Sequence, residues 1–151
     1  MAYEFKMHRR VEFVETDMAG VMHFSHFFRY MESVEHAFFR SLGLRVHTHG
    51  EDGVWGWVRA HAECNYLRPL RYEDLVELHL LVKAKGSSSL AYQVIFRLPS
   101  AEDSESMVEV ARGSMKVICV TGFPGEGRLR SIEIPAEIDA LVEVAPAELW
   151  D

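Results

Sequence analysis

The chain has 151 residues, 48% hydrophobic and 26% charged, which is typical of a globular protein with one core, so we predict a single domain over residues 1–151. Its formal net charge of −7 argues against a general nucleic-acid-binding protein, because such domains carry a basic face. No run approaches the roughly 20 apolar residues of a membrane helix, so we expect no membrane span.

The first ten residues and the cysteines suggest where the protein works. Residues 1–10 alternate polar and apolar side chains and lack the continuous apolar core of a secretory signal. Cys64 and Cys119 are far apart and form no CxxC pair, although a single disulfide between them stays an alternative. We therefore expect a reduced, cytoplasmic setting.

A strand is the first predicted element, because apolar side chains occupy every second position over much of residues 3–13. Glu15 and Asp17 follow at the same spacing, and Gly20 then predicts a turn. We expect Glu15 to be solvated. The apolar residues of the predicted strand are Tyr3, Phe5, Met7, Val11 and Phe13.

The next apolar residues recur in steps of three and four, which predicts an amphipathic helix over residues 25–42. Ser25 is suited to cap its first turn, and Gly43 is suited to end its last turn. Asp17 therefore comes shortly before a helix N-terminus, where free backbone N–H groups favour negative charge. The apolar stripe consists of Phe27, Met31, Val34, Phe38 and Leu42.

The rest of the chain is mostly strand. Residues 44–53 and 121–130 are predicted to form loops, and in the first strand after residue 53 the even-numbered side chains are expected to share one face. Residues 86–89 predict a hairpin connection, a switch of the inward positions predicts a bulge near residues 111–113, and Pro135 suits the start of a short helix. The predicted strands cover residues 54–66, 76–84, 90–98 and 107–120.

The order of these elements predicts how they pack. Their connections are too short for parallel crossovers, so the strands should pair antiparallel. One face of such a sheet is apolar and must be covered, and the only long amphipathic element is the helix at residues 25–42. The sheet should therefore wrap around that helix.

Asp17 is the leading candidate for catalysis. Its carboxylate could face a substrate carbonyl that lies on the helix N-terminus. Asp is also common as a cap of turns and helices, and the local pattern alone favours that capping role.

Other candidates also have a structural alternative. His23 and His26 lack a third metal ligand at a recognisable spacing, so we predict no metal site and interpret His23 as a pocket or surface residue. Lys85, with the serines that follow it, could hold phosphate or form an ordinary polar hairpin. Several aromatic residues could line an acyl pocket or belong to the core. They are Phe24, Phe27, Phe28, Tyr30, Trp55 and Trp57.

The stretch VETDMAGVMHFSHFFRYMESVEHAFFRSLGL resembles the hotdog-fold acyl-CoA thioesterases of the 4-hydroxybenzoyl-CoA thioesterase type. The likeness extends over most of residues 3–138. The chain departs from the family pattern at His23, Phe24 and His26, which puts the polarity of the pocket in question. The residues in register with the family motif are Glu15, Thr16, Asp17, Gly20, Val21 and Phe27.

The resemblance implies a fold and an assembly. The fold is α+β, with a five-stranded antiparallel sheet wrapped around one long central helix. Two such domains pair edge to edge into a homodimer, often a homotetramer, with active sites at the subunit interfaces.

The resemblance also implies the chemistry, which is hydrolysis of an acyl-CoA or aroyl-CoA thioester to the free acid and CoA, without a metal or redox cofactor. Asp17 would act as nucleophile or general base, and the backbone N–H of Phe24 would polarise the thioester carbonyl. The predicted oxyanion and substrate-binding residues are Gly20, Val21, His23, Phe24 and His26. The predicted CoA-binding residues are Arg59, Lys85, Ser87 and Ser88.

Two other functions stay open at this stage. Asp17 and His23 could serve as acid and base in a hotdog enoyl-thioester hydratase or dehydratase, although the Asn-Pro context of that family is absent. A non-catalytic module that binds acyl thioesters is the third hypothesis.

Overall fold

One long helix and one antiparallel sheet form the fold. The computed structural model describes residues 2–50, 53–122 and 128–150. The helices are α1 (Ser25–Ser41) and α2 (Ala136–Asp139), and short 3-10 helices cover Phe13–Glu15 and Ala147–Leu149. The strands are β1 (Glu4–Arg10), β2 (His47–Gly50), β3 (Gly53–Tyr66), β4 (Leu75–Lys85), β5 (Ser89–Pro99), β6 (Met107–Thr121) and β7 (Arg130–Ser131).

The sheet has the order β1-β4-β5-β6-β3-β2, and β7 pairs with β6. All these pairings are antiparallel, so the predicted sheet of five long antiparallel strands is confirmed. The short strands β2 and β7 extend it. The prediction of a loop over residues 44–53 was wrong for β2, because its four residues form a hairpin with the start of β3 although their sequence lacks apolar alternation.

Helix α1 covers the apolar face of the sheet, as predicted. Phe27, Met31 and Phe38 of its stripe are at most 3% exposed. A side chain on Gly113 of β6 would approach within 2.6 Å of Met31, so this glycine lets the helix and sheet pack closely. The helix ends where predicted, with Gly43 at φ +73°, but Phe24 rather than Ser25 is its N-cap residue.

The first strand is shorter than predicted. It ends at Arg10, because the chain then bends so that the N–H of Val11 donates to the carbonyl of Asp74. Residues 13–15 form a 3-10 turn instead of strand, and this turn leaves Phe13 74% exposed.

Two bulges change which side chains face the helix. In β3, Arg59 pairs with Val117 and His61 with Lys116, so the residue between them has no partner strand position. The predicted even-numbered face is therefore wrong before the bulge, where Trp57 packs on the core, and right after it, where Cys64 does. In β6 the extra residue is Val110, one position before the predicted bulge.

The other connections largely follow the predictions. The N–H of Gly86 donates to the carbonyl of Ser89 at 2.8 Å, which confirms the hairpin. Pro135 precedes α2, whose Ile138 is 1% exposed. The predicted loop at 121–130 includes residues 123–127, which lie outside the described ranges. None of the described helices has the length and apolar character needed to cross a membrane.

Candidate active site

A small hairpin before α1 holds Asp17. The N–H of Asp17 donates to the carbonyl of Val21 at 2.9 Å, and Thr16 forms an antiparallel bridge with Met22. Gly20 has φ +80°, in the left-handed region that other residues avoid. The turn predicted from Gly20 is therefore present, and it returns the chain towards the helix.

The Asp17 side chain takes part in this turn. Its Oδ1 accepts hydrogen bonds from the N–H of Ala19 at 2.8 Å and of Val21 at 3.4 Å. Within the described ranges Oδ2 has no hydrogen-bond partner, and the residue is exposed. Asp17 thus caps the turn, and the turn in return fixes the carboxylate while leaving one oxygen open.

A cleft of about 380 Å³ opens beside this carboxylate. One wall is formed by the hairpin and the start of α1, including Phe24 and Phe27, and the other by the segment that follows β3. Phe24 is 61% exposed, whereas Phe27 is buried against Tyr66. The lining residues are Asp17, Val21, Met22, Phe24, Phe27, Tyr66, Leu67, Arg68 and Pro69.

The helix N-terminus contributes an open hydrogen-bond donor to this region. The N–H of Ser25 donates to Nδ1 of His23 at 3.3 Å, and the N–H of His26 donates to the His23 carbonyl. The N–H of Phe24, between them, has no acceptor among the described residues. A free N–H at the positive end of a 17-residue helix can bind a carbonyl oxygen or an oxyanion.

The two histidines near the helix start do not line the cleft. Nδ1 of His23 lies 2.8 Å from the Ser25 hydroxyl, and Nδ1 of His26 lies 3.2 Å from the Arg29 guanidinium. Their ring centroids are 6.3 Å apart. His23 therefore helps to order the helix cap instead of facing Asp17 across the cleft.

The prediction for Glu15 was wrong. It was predicted to be solvated but is 2% exposed, because the 3-10 turn directs its side chain under the hairpin. Its Oε1 accepts from the Tyr30 hydroxyl at 2.5 Å and from the N–H of Glu12 at 2.8 Å, and its Oε2 lies 3.8 Å from Arg9. Burial, followed by the bond to Glu15, raises the pKa of Tyr30.

A second cavity, of about 430 Å³, lies beside the C-terminal half of α1. Arg59 donates to both carboxylate oxygens of Glu35 at 3.2 Å and lies 3.5 Å from Glu32. Glu35 is 6% exposed, and burial raises its pKa although Arg59 opposes that shift. The other lining residues are Trp57, Tyr92, Phe39, Val46, Gly56 and Val117, together with His36 and His47.

The predicted CoA-binding residues are dispersed. Arg59 binds Glu35 in the second cavity, and Lys85 binds the carboxylate of Asp139 at 3.1 Å and the carbonyl of Val142 at 2.8 Å. Ser87 and Ser88 lie in the β4–β5 hairpin, where their carbonyls accept backbone bonds. The cation in the cleft is instead Arg68, whose guanidinium has no partner in the described part of the chain.

A family model described as the thioesterase-like superfamily matches residues 11–142, a range that holds the Asp17 hairpin, α1 and every strand of the sheet except β1. The chain belongs to this superfamily. The superfamily is one of thioester hydrolases, so the enzyme class predicted from the sequence is confirmed.

Two curated relatives support the same assignment. A putative esterase of Aquifex aeolicus (strain VF5) is 41% identical over 91 residues, which cover 60% of this chain and 70% of that protein. A 4-hydroxybenzoyl-CoA thioesterase of Pseudomonas sp. (strain CBS-3) is 24% identical over 140 residues, 91% of this chain and 96% of that protein.

Solved structures confirm the hotdog fold. A hypothetical protein from Aquifex aeolicus superimposes with a TM-score of 0.76 at 28% identity, covering 92% of this chain and 99% of that one. The Pseudomonas 4-hydroxybenzoyl-CoA thioesterase superimposes with a TM-score of 0.75 at 18% identity, covering 91% and 99%. The arrangement of one helix in a curved antiparallel sheet is therefore shared.

Proposed function

We propose that this thioesterase-superfamily protein hydrolyses an acyl-CoA or aroyl-CoA thioester to the free carboxylic acid and CoA. The observation that carries the proposal is that Asp17 and Phe24 line the same cleft, and that one carboxylate oxygen of Asp17 and the N–H of Phe24 have no hydrogen-bond partner among the described residues. A carbonyl oxygen on that N–H would present its carbon to the carboxylate side. The name of the Pseudomonas relative supports a CoA ester as the substrate class.

The reaction needs one proton acceptor or one nucleophile, and Asp17 can supply either. As general base it takes a proton from water while the water oxygen bonds to the carbonyl carbon. The C–S bond then breaks, and the proton passes to the departing thiolate. As nucleophile it first forms a mixed anhydride and releases CoA, and water then cleaves the anhydride. In both routes negative charge develops on the carbonyl oxygen beside the Phe24 N–H.

A pair of chains would complete the site. Strand β3 pairs with β2 only from Gly53 to Gly56, so within the described ranges its edge from Trp57 to Tyr66 is unpaired. Two copies could join antiparallel along this edge, because an open edge is a template for a second strand. That pairing would bring the Trp57 end of one copy beside the Tyr66 end of the other. The second cavity of one protomer would then adjoin the Asp17 cleft of its partner and receive the acyl group.

The cleft also offers an anchor for the anionic part of CoA. Arg68 lies in the cleft wall, and its guanidinium has no partner among the described residues, whereas Lys85 is bound to the C-terminal segment. We therefore favour Arg68 over the Lys85 hairpin as the cation that holds the CoA moiety. The chemistry as written uses only protein groups and water, without a metal or redox cofactor.

Thiol release over a panel of short-chain, long-chain and aromatic acyl-CoA esters tests the proposal. We expect at least one ester to release free CoA with saturation kinetics. An enoyl-CoA in the panel tests the hydratase hypothesis, since hydration would consume the enoyl absorbance without releasing thiol. Failure of every ester to release thiol would contradict the proposed function.

The assembly is tested separately by sedimentation equilibrium. We expect at least twice the mass of one chain, together with a melting temperature that rises with protein concentration, because association stabilises the folded state. A monomer with full activity would contradict the shared site but not the hydrolytic chemistry.

A further inference from the structure

Glu15 connects the two parts of the proposed site. Its side chain reaches the second turn of α1 through the Tyr30 hydroxyl, and Tyr30 is completely buried. Its carbonyl accepts the N–H of His23 at 2.9 Å, one residue before the open N–H of Phe24. Asp17 follows Glu15 by two residues in the chain. Glu15 thus contacts the chain just before α1 through its carbonyl and the second turn of α1 through its side chain.

The contacts of Glu15 hold its side chain in one position. An O–H···O distance of 2.5 Å between Tyr30 and a carboxylate is typical of a charge-assisted hydrogen bond, roughly twice as strong as a neutral one. The Arg9 guanidinium lies 3.8 Å from the carboxylate and 4.2 Å above the Tyr30 ring, so it joins the same cluster from β1. Three separate elements are therefore tied to one carboxylate: β1, the 3-10 turn and α1.

We propose that Glu15, held by Tyr30, is a positioning residue that sets the distance between the Asp17 carboxylate and the Phe24 N–H. This inference rests on the proposed function. Without the Glu15–Tyr30 bond the hairpin keeps its own backbone bonds but can shift relative to the helix. A shift of the reacting groups slows hydrolysis more than it weakens substrate binding. We therefore expect the shift to lower kcat.

The test compares Glu15→Gln and Tyr30→Phe with the wild type. We expect each variant to lower kcat by roughly 10- to 100-fold, because displacements near 1 Å have effects of this order. We expect KM to stay within about twofold, because the cleft walls are unchanged. The double variant should lose no more than Tyr30→Phe alone, since both changes act on one hydrogen bond: the phenylalanine removes its donor, and the glutamine removes the charge of its acceptor.

Turnover measured in the Asp17→Asn background distinguishes a positioning role of Glu15 from a purely structural one. Adding Glu15→Gln to Asp17→Asn should cost no further turnover, because the group that Glu15 positions is already disabled. Glu77→Gln is the matched control, since Glu77 also pairs with an arginine, Arg97 at 3.1 Å, but on β4 away from the cleft. It should leave kcat unchanged.

Two results would overturn the inference alone, and a third would overturn the proposed mechanism with it. One is wild-type kcat in Tyr30→Phe and Glu15→Gln with only a lower melting temperature, which would make the cluster structural. The other is a further, equal loss in the Asp17→Asn background. Asp17→Asn with wild-type turnover would overturn both this inference and the proposed mechanism, whereas an inactive Asp17→Asn beside fully active Glu15 and Tyr30 variants would overturn this inference alone.

Discussion

Two carboxylates near opposite ends of helix α1, Asp17 and Glu35, have contrasting environments. At the N-terminal end Asp17 is exposed, fixed by backbone N–H groups through one oxygen and open at the other. Beside the C-terminal half Glu35 is buried, and Arg59 contacts both of its oxygens. The larger cavity therefore holds the acid whose charge is already compensated. Cavity size alone therefore does not select the reactive group, and our proposal of Asp17 is based on its open oxygen.

Replacing Asp17 should give the largest effect and sharpen this contrast. We expect Asp17→Asn to lower kcat by roughly 10²- to 10⁴-fold while the fold survives, because the amide can still accept the turn bonds but cannot act as base or nucleophile. Asp103→Asn is the matched control, since Asp103 also caps a turn, in the β5–β6 connection. Steady-state thiol release and a melting curve measure both variants. Equal losses in the two would end the assignment of Asp17.

Removing the partner of Glu35 should act chiefly on stability. Arg59→Leu leaves a buried carboxylate unpaired, which we expect to cost about 3–5 kcal/mol of unfolding free energy at pH 8. The pKa of Glu35 is raised in the folded state, so its folded form holds the proton more tightly than the unfolded chain. The contribution of Glu35 to the free energy of unfolding is therefore fully present at low pH and is lost as pH rises through the folded pKa of Glu35.

Calorimetry at pH 5 and pH 8 checks the direction of this pH dependence of stability. Arg59→Leu should be less destabilised at pH 5, and the double variant Glu35→Gln with Arg59→Leu should lose this pH dependence. A loss that is equal at the two pH values would show that Glu35 does not titrate as described.

Arg68 should have a smaller effect, confined to the cleft. We expect Arg68→Ala to raise KM for a CoA ester roughly 10-fold at unchanged kcat, because hydrogen bonds to charged groups contribute about 1.5–3 kcal/mol. The increase should shrink at high salt. Arg45→Ala, at an exposed arginine after the other end of α1, is the control and should leave KM unchanged. Inhibition by free CoA provides an independent measure, and equal inhibition of all three proteins would argue against Arg68 as the anchor.

The glycines that flank α1 give the smallest and most closely matched comparison. Gly20 and Gly43 have φ +80° and +73°, and a side chain at either would meet no atom within 4 Å. Alanine at each should therefore cost a similar free energy of unfolding, about 1–2 kcal/mol, from backbone strain alone. Only Gly20→Ala should also lower kcat, because only that turn carries Asp17. Equal kcat in the two variants would separate the turn from the chemistry.

Much of the fold follows from local periodicity. The stripe of α1, the end of the helix at Gly43 and the long strands were predicted because each depends on spacing within one segment. Strand β2 and the bulge between Arg59 and His61 were missed, since they depend on the register with a neighbouring strand.

The candidate site was predictable to the same extent. The Asp17 turn is local and was found. The burial of Glu15 depends on Tyr30, 15 residues later, and the pairing of Glu35 with Arg59 spans 24 residues. One signal was available in the sequence. Tyr30 falls three residues after Phe27 and so beside the apolar stripe, and a buried tyrosine hydroxyl requires a partner.

The central claim is that the substrate carbonyl lies on the Phe24 N–H opposite Asp17. The most direct measurement is the amide proton shift of Phe24 in the Asp17→Asn protein as a slowly turned-over acyl-CoA binds. We predict a downfield shift of that amide, because it acquires an acceptor, while amides near the second cavity respond to the acyl group alone. A Phe24 amide that stays in place while the substrate saturates the protein would contradict the account.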